Sequence, residues 1–186
     1  MSGEDQNTTS HSPDDWPTSA LPDGFMAELG RTVATFGWLE DNLKRAIFAL
    51  TATRPQERIT DGMLRDWIRQ MNDIADDSLS TLIDQFDAQM RGNPAAGADP
   101  QLIKDLRAQK DFRNLICHSA WTEAGDGRFR PDFIDNRGDK YDGTLGVEDF
   151  IRMRAEVAKS GESVIAIIAA TGVSLPGRTG RSLSSN

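Results

Sequence analysis

The chain holds two histidines, His11 and His118, and the second closes the run Arg113-Asn114-Leu115-Ile116-Cys117-His118. An imidazole titrates near neutral pH and can take and return a proton there. Arginine carries a planar fork of donors that matches two oxygens of a phosphate. If the run is helical, Asn114 lies one turn before His118 on the same face, placed to hydrogen-bond the ring and hold one tautomer. Arg113 is then turned about a quarter of the way round the helix. A proton carrier, an orienting amide and a cation within two turns make an arrangement suited to phosphate chemistry. Lys104, Arg107, Asp111, Asn114 and His118 continue this polar stripe along the same helix. One ordered histidine among scattered carboxylates has neither the number nor the spacing for a closed metal site, so no metal and no cofactor are expected.

Other residues near the run carry alternatives. Between residues 101 and 118 the cations Lys104, Arg107, Lys110 and Arg113 outnumber Asp105 and Asp111. This basic island is either a substrate-binding strip, with Lys104, Arg107 and Lys110 as its contacts, or an ordinary solvated helix face. Trp121 follows His118 by about one turn, and either stacks on a base or packs in the core. Cys117 points about 100° away from His118, which suits a packed free thiol rather than a nucleophile paired with a base.

These groups need helices to place them. The apolar spacing predicts a first helix over residues 22–51, with a seam through Met26, Leu29, Val33, Phe36, Glu40, Leu43, Ile47 and Leu50. Glu40 breaks that seam. Either it turns inward toward a cationic or hydrogen-bonding partner across the bundle, or Leu39 takes the slot and Glu40 lies at the edge. A second helix starts near Thr60 and Asp61, carries Leu64, Trp67, Ile68, Met71 and Ile74 inward, and continues through Leu79, Leu82, Ile83, Phe86 and Met90. Asp76-Asp77-Ser78 bends it or starts a new helix, and one long, broken helix is the expectation.

Asp99 followed by Pro100 opens a third helix running to about Ala120, since aspartate caps free amide groups and proline fits the first turn. Its stripe runs Leu102, Leu106, Gln109, Arg113, Ile116 and Ala120, with Phe112 and Leu115 on the flank. Arg113 and Glu40 both interrupt apolar seams, so each is a candidate partner for the other in a buried ion pair. Residues 122–146 contain Gly125, Gly127, Gly138 and Gly143 between short alternating segments, which reads as a β-hairpin excursion. A fourth helix over residues 147–170 presents Phe150, Ile151, Val157, Val164 and Ile168 inward, with Gly161 a weak point. The expected fold is all-α, an up-and-down four-helix bundle with a small β-hairpin between helices three and four.

The expected domain covers residues 21–171, between a disordered tail over 1–20 rich in Ser, Thr, Asp and Pro and a disordered Gly/Ser/Arg-rich tail over 172–186. The 186 residues suit one domain. A formal charge of −8 repels polyanions at long range, so any nucleic-acid site must be local. A single cysteine and the lack of a basic, then apolar, N-terminal run point to the cytoplasm. The apolar run over 164–170 is far shorter than the roughly 20 residues a membrane span needs.

The run 113–118 resembles the motif of the HEPN superfamily of helical-bundle proteins. That motif is an arginine, usually followed by a polar residue such as asparagine, then a histidine after about four to six intervening residues near the end of the third helix. The likeness extends to the four-helix layout, to Glu40 within Trp38-Leu39-Glu40 of helix one, and loosely to about 150 residues. It implies metal-independent endoribonuclease activity in many members and catalytic silence in others, in a dimer whose two motifs face a shared cleft. Carried onto this chain, His118 would deprotonate a ribose 2′-hydroxyl or protonate the leaving 5′-oxygen, Arg113 would stabilise the phosphorane charge, Asn114 would orient, and Glu40 would hold the guanidinium. One imidazole cannot make both proton transfers at once, whereas a homodimer supplies two. The resulting expectation is an RNA-cleaving toxin or defence effector, with an antitoxin or other regulatory protein as a further partner. The alternative is a silent HEPN-like bundle that binds a nucleotide or serves as a dimeric protein-interaction module, and a plain helical interaction module is a third.

Overall fold

The computed structural model describes residues 20–52, 65, 69, 74, 78–93, 96–97, 99–135 and 137–173. Both expected tails lie outside these residues, apart from Ala20 at one end and Gly172 and Val173 at the other. So do Leu64, Trp67, Ile68 and Met71 of the expected second helix.

Helix α1 spans Asp23–Ala52, within one residue of the predicted bounds. Its buried face differs from the predicted seam in the first half: Phe25, Glu28, Thr32, Phe36 and Leu39 turn inward, while Val33 is 40% exposed. Leu39 is fully buried, so it takes the slot beside Glu40, and Glu40 lies at the edge of the stripe. A fully buried apolar side chain outweighs a carboxylate competing for the same position, because the carboxylate would lose its hydration. From Leu43 onward the prediction holds, with Leu43, Ile47 and Leu50 all buried.

Helix α2 spans Leu79–Arg91. Ser78 stands before it in extended conformation, its hydroxyl accepting a hydrogen bond from the Thr81 amide at 3.3 Å. Helix α2 therefore starts at this cap, and Asp76 and Asp77 of the expected bend lie outside the described residues. Arg65, Arg69 and Ile74 are themselves helical, and Ile74 joins the core.

Helix α3 spans Pro100–His118, and the Asp99 carboxylate accepts from the Leu102 amide at 2.9 Å, as the Asp-Pro pair predicts. It ends two residues earlier than expected, and Ala120, placed inside by helical spacing, is exposed in a strand. Strands β1 (Ala120–Gly125) and β2 (Arg128–Asp132) pair antiparallel with Trp121 opposite Pro131 and Thr122 opposite Arg130. Asp126 and Gly127 form the turn with φ of 53° and 71°, the pair of left-handed residues that a two-residue hairpin turn requires. Helix α4 spans Val147–Ala170.

Among the described residues the architecture is all-α, an up-and-down bundle of these four helices with a small hairpin between α3 and α4. The hairpin is anchored, not appended. Phe129 of β2 exchanges two backbone hydrogen bonds of 2.8 Å with Leu145, and its ring sits 4.2 Å from Phe25. Phe25 also meets Phe150 at 5.2 Å, edge to face, so rings from α1, β2 and α4 close one end of the core. Arg128 ties the hairpin to the start of α4: it donates to the Thr144 carbonyl at 2.6 Å, to Glu148 at 2.7 Å and to Asp149 at 2.9 Å.

The α1–α4 seam is set by Trp38 and Gly161. A Cβ on Gly161 would lie 2.1 Å from Cζ3 of the indole, so the glycine is where the tryptophan ring crosses the partner helix and not a break in α4. The predicted inward residues Phe150, Val157 and Val164 are buried and Ile168 is partly so, but Ile151 is 46% exposed. Position 151 follows Phe150 by one residue, and the 100° step carries it off the buried face.

Candidate functional site

Arg113, Asn114 and His118 occupy the last turns of α3, where the helix leaves the bundle for β1. Their helical spacing and their exposure decide what each can do. Arg113 does not fill a core slot as its seam position suggested. It is half-buried at the edge, and its Nη2 stands 3.7 Å from Oε1 of Glu40. The expected partnership is therefore present, but its side chains are 32% and 24% exposed, so the pair is a rim contact, not a buried one. The other guanidinium arm, Nη1, donates to Oδ1 of Asn114 at 3.5 Å, the long limit of a hydrogen bond. Asn114 thus meets Arg113, whereas spacing alone pointed it at the imidazole.

His118 is exposed, and among the described residues nothing hydrogen-bonds its ring. The imidazole is free to meet solvent or a second molecule. Cys117, expected to be packed, is exposed as well. At the last turn of α3 the next elements have already peeled away into the hairpin, so two successive residues can both reach water.

Trp121 goes the other way. Its indole packs against Phe25 at 5.2 Å and Phe150 at 6.0 Å, both edge to face, so the core reading describes it and base stacking does not. The basic island is largely engaged with acids. Arg107 reaches across to α2, 3.2 Å from Asp84 and 3.3 Å from Asp87, and Lys110 pairs with Asp111 at 2.9 Å. Lys104 is exposed beside Arg107 at the start of α3. Of the residues singled out in the sequence, Arg113, Asn114 and Glu40 come together, His118 stands free at the helix end, and Lys104 and Arg107 lie two or more turns away toward its N-terminus.

A groove of about 630 Å³ opens beside the motif, between the second half of α3, the loop over residues 133–141, and Met153 of α4. Asn114 and Asp111 line it; Arg113 and His118 do not. The groove and the motif therefore share Asn114 and Leu115 but are not one pocket. Helical spacing could have found the α3 wall. The opposite wall, with Phe133 and Tyr141, lies in a segment without periodicity, and only its Gly and Asp residues hinted at a tight turn.

That loop is built by Asp135. Its carboxylate accepts from the backbone amides of Arg137 at 2.8 Å and Asp139 at 2.9 Å, and the loop closes with Asp135 donating to the Asp139 carbonyl at 3.0 Å. The hydrogen bonds from the Asp139 and Arg137 amides, with the Arg137 guanidinium added, hold the Asp135 carboxyl below the ordinary value. Three further charged groups escaped the sequence reading: Glu28 is buried against α4, where Arg154 approaches its carboxylate at 2.6 Å, and Arg31 pairs with it from the next turn of α1. This pair staples α1 to α4 and lies in the scaffold.

Among the described residues no three His, Cys, Asp or Glu side chains are grouped to hold a metal ion, and no helix is long and apolar enough to cross a membrane. Comparison with family models, with curated proteins and with solved structures finds no match, and the functional reading rests on the residues themselves.

Proposed function

We propose that this chain is a HEPN-like, metal-independent endoribonuclease that acts as a homodimer, in the manner of a cytoplasmic toxin or defence effector. The observation that carries this reading is that α3 bears both an exposed His118, without a hydrogen bond among the described residues, and an Arg113 held at the bundle edge by Glu40 and Asn114. In the proposed reaction, His118 of one copy takes the proton from a ribose 2′-hydroxyl. The 2′-oxygen attacks the adjacent phosphorus, and His118 of the second copy gives its proton to the 5′-oxygen as that bond breaks. The products are a 2′,3′-cyclic phosphate and a free 5′-hydroxyl. Arg113 bears on the negative charge that builds on the phosphorane, where a preoriented donor stabilises most.

The test is cleavage of mixed RNA by the full chain in EDTA, with end-group analysis. Cyclic phosphate ends, lost in both Arg113→Ala and His118→Ala, support the proposal; intact RNA under all conditions defeats it. The neutralised Arg107 and Lys110, with the overall charge of −8, favour a second reading, a silent HEPN-like module that binds a nucleotide or a regulatory protein. It predicts no cleavage, with His118→Ala altering only association.

A further inference from the structure

We propose that the groove between α3 and the 133–141 loop receives the base of a nucleotide flanking the scissile phosphate. The proposal rests on the nuclease reading for naming RNA as the source of the base. Its physical argument comes from the groove itself. Phe112, Phe133 and Tyr141 line it together with Met153, and all four are partly buried against the core. Aromatic faces stack on any of the bases, because every base has a π-face.

The charges of the groove point to a neutral ring and not to a phosphate. Lys110, Arg137 and Lys140 are matched by Asp111, Asp135 and Asp139 along the same lining. Each cation already has an acid beside it: Lys110 has Asp111 at 2.9 Å, Arg137 has Asp135 at 3.1 Å, and Lys140 has Asp132 at 3.4 Å. A phosphate would have to displace those carboxylates. A base edge, with donors and acceptors but no net charge, would not.

The wall is also formed in advance. The Asp135 carboxylate accepts from the Arg137 and Asp139 amides and the Gly138 amide donates to the Asp135 carbonyl at 3.0 Å, so the chain's own hydrogen bonds hold the loop. Little ordering remains to oppose binding. Asn114 joins the two sites, since its side chain lines the groove while its Oδ1 accepts from Arg113. A phosphate on Arg113 and a base in the groove would lie on either side of that amide, as they do in one nucleotide.

The experiment uses the uncharged nucleosides adenosine, guanosine, cytidine and uridine, titrated into the full chain and followed by NMR shifts. Saturable binding is expected for at least one nucleoside, retained in Arg113→Ala and in His118→Ala. Ala108 is exposed on the α3 wall, and Ala108→Trp fills the groove from that side. This variant should weaken binding about tenfold or more, the loss of a stacked base. Phe133→Leu keeps an apolar group and removes a ring, and serves if Ala108→Trp fails to fold. No saturation by any nucleoside, or full affinity in the variants that fold, overturns the proposal. Nucleoside binding is read without cleavage, so an inactive chain that binds would sink only the nuclease reading, and an active chain that binds no nucleoside would sink only this one.

Discussion

Glu40 of α1 and Arg113 of α3 stand 3.7 Å apart at the rim of the bundle, where water still reaches both. Exposed pairs of this kind add about 0–1 kcal/mol to stability. Glu40→Gln should therefore lower the unfolding free energy by less than about 1 kcal/mol in urea titration. If Glu40 aims the guanidinium at substrate, the same change lowers kcat/KM for RNA about tenfold, as loss of alignment does. A large loss of stability with no change in kcat/KM would instead make the pair purely a helix clamp.

His118 makes no hydrogen bond among the described residues and is exposed, so His118→Ala should change stability by no more than about 0.5 kcal/mol. Under the proposed mechanism its turnover falls about 10²-fold or more, the usual contribution of a general acid or base. Thermal unfolding and a cleavage assay on the same preparation separate the two effects.

Cys117 is the sole cysteine, exposed beside His118. If two copies meet through the ends of α3, mild oxidation or a short thiol crosslinker should give a covalent dimer that Cys117→Ser abolishes. A population that stays monomeric at every crosslinker length tested would place the dimer face elsewhere or remove it.

Gly161 has no room for a methyl group under Trp38. Gly161→Ala should cost about 1–3 kcal/mol through overpacking, visible as a lower urea midpoint. Trp38→Leu in the same chain should recover part of that loss if the indole is the obstacle, because the two side chains then share the space.

Asp149 gives the chain an acid-sensitive point. Burial pushes its carboxyl up, but the Gly146 amide and the guanidinium groups of Arg128 and Arg152 outweigh that and leave it below the ordinary 3.8. A group lowered on folding adds stability that is present above 3.8 and is lost as pH falls through the lower folded value. Asp149→Asn should therefore flatten the fall in stability below that pH, and it should cost about 1.5–3 kcal/mol at neutral pH as charged hydrogen bonds are lost. Denaturation curves collected across acidic pH would show both.

Helical periodicity was enough to write down the bundle: α1 within a residue at each end, the Asp99-Pro100 start of α3, and a hairpin before α4. Each of these follows from local chemistry, a cap, a turn or a repeat of apolar groups, that neighbouring residues carry by themselves. The motif Arg113-Asn114-Leu115-Ile116-Cys117-His118 was legible for the same reason, as was Glu40 as a partner for Arg113. What local pattern could not supply was phase and neighbourhood. A helix of known period can still be rotated by one residue, and whether Leu39 or Glu40 faces inward depends on what the other helices bring to that slot. Only the packed bundle sends Asn114 to Arg113, leaves His118 and Cys117 in water, packs Trp121 against Phe25 and Phe150, and folds the 133–141 loop over α3 to make a groove. Those are meetings of residues distant in the chain, settled by the competition among all the apolar surfaces for one interior, and no short stretch of sequence contains that competition.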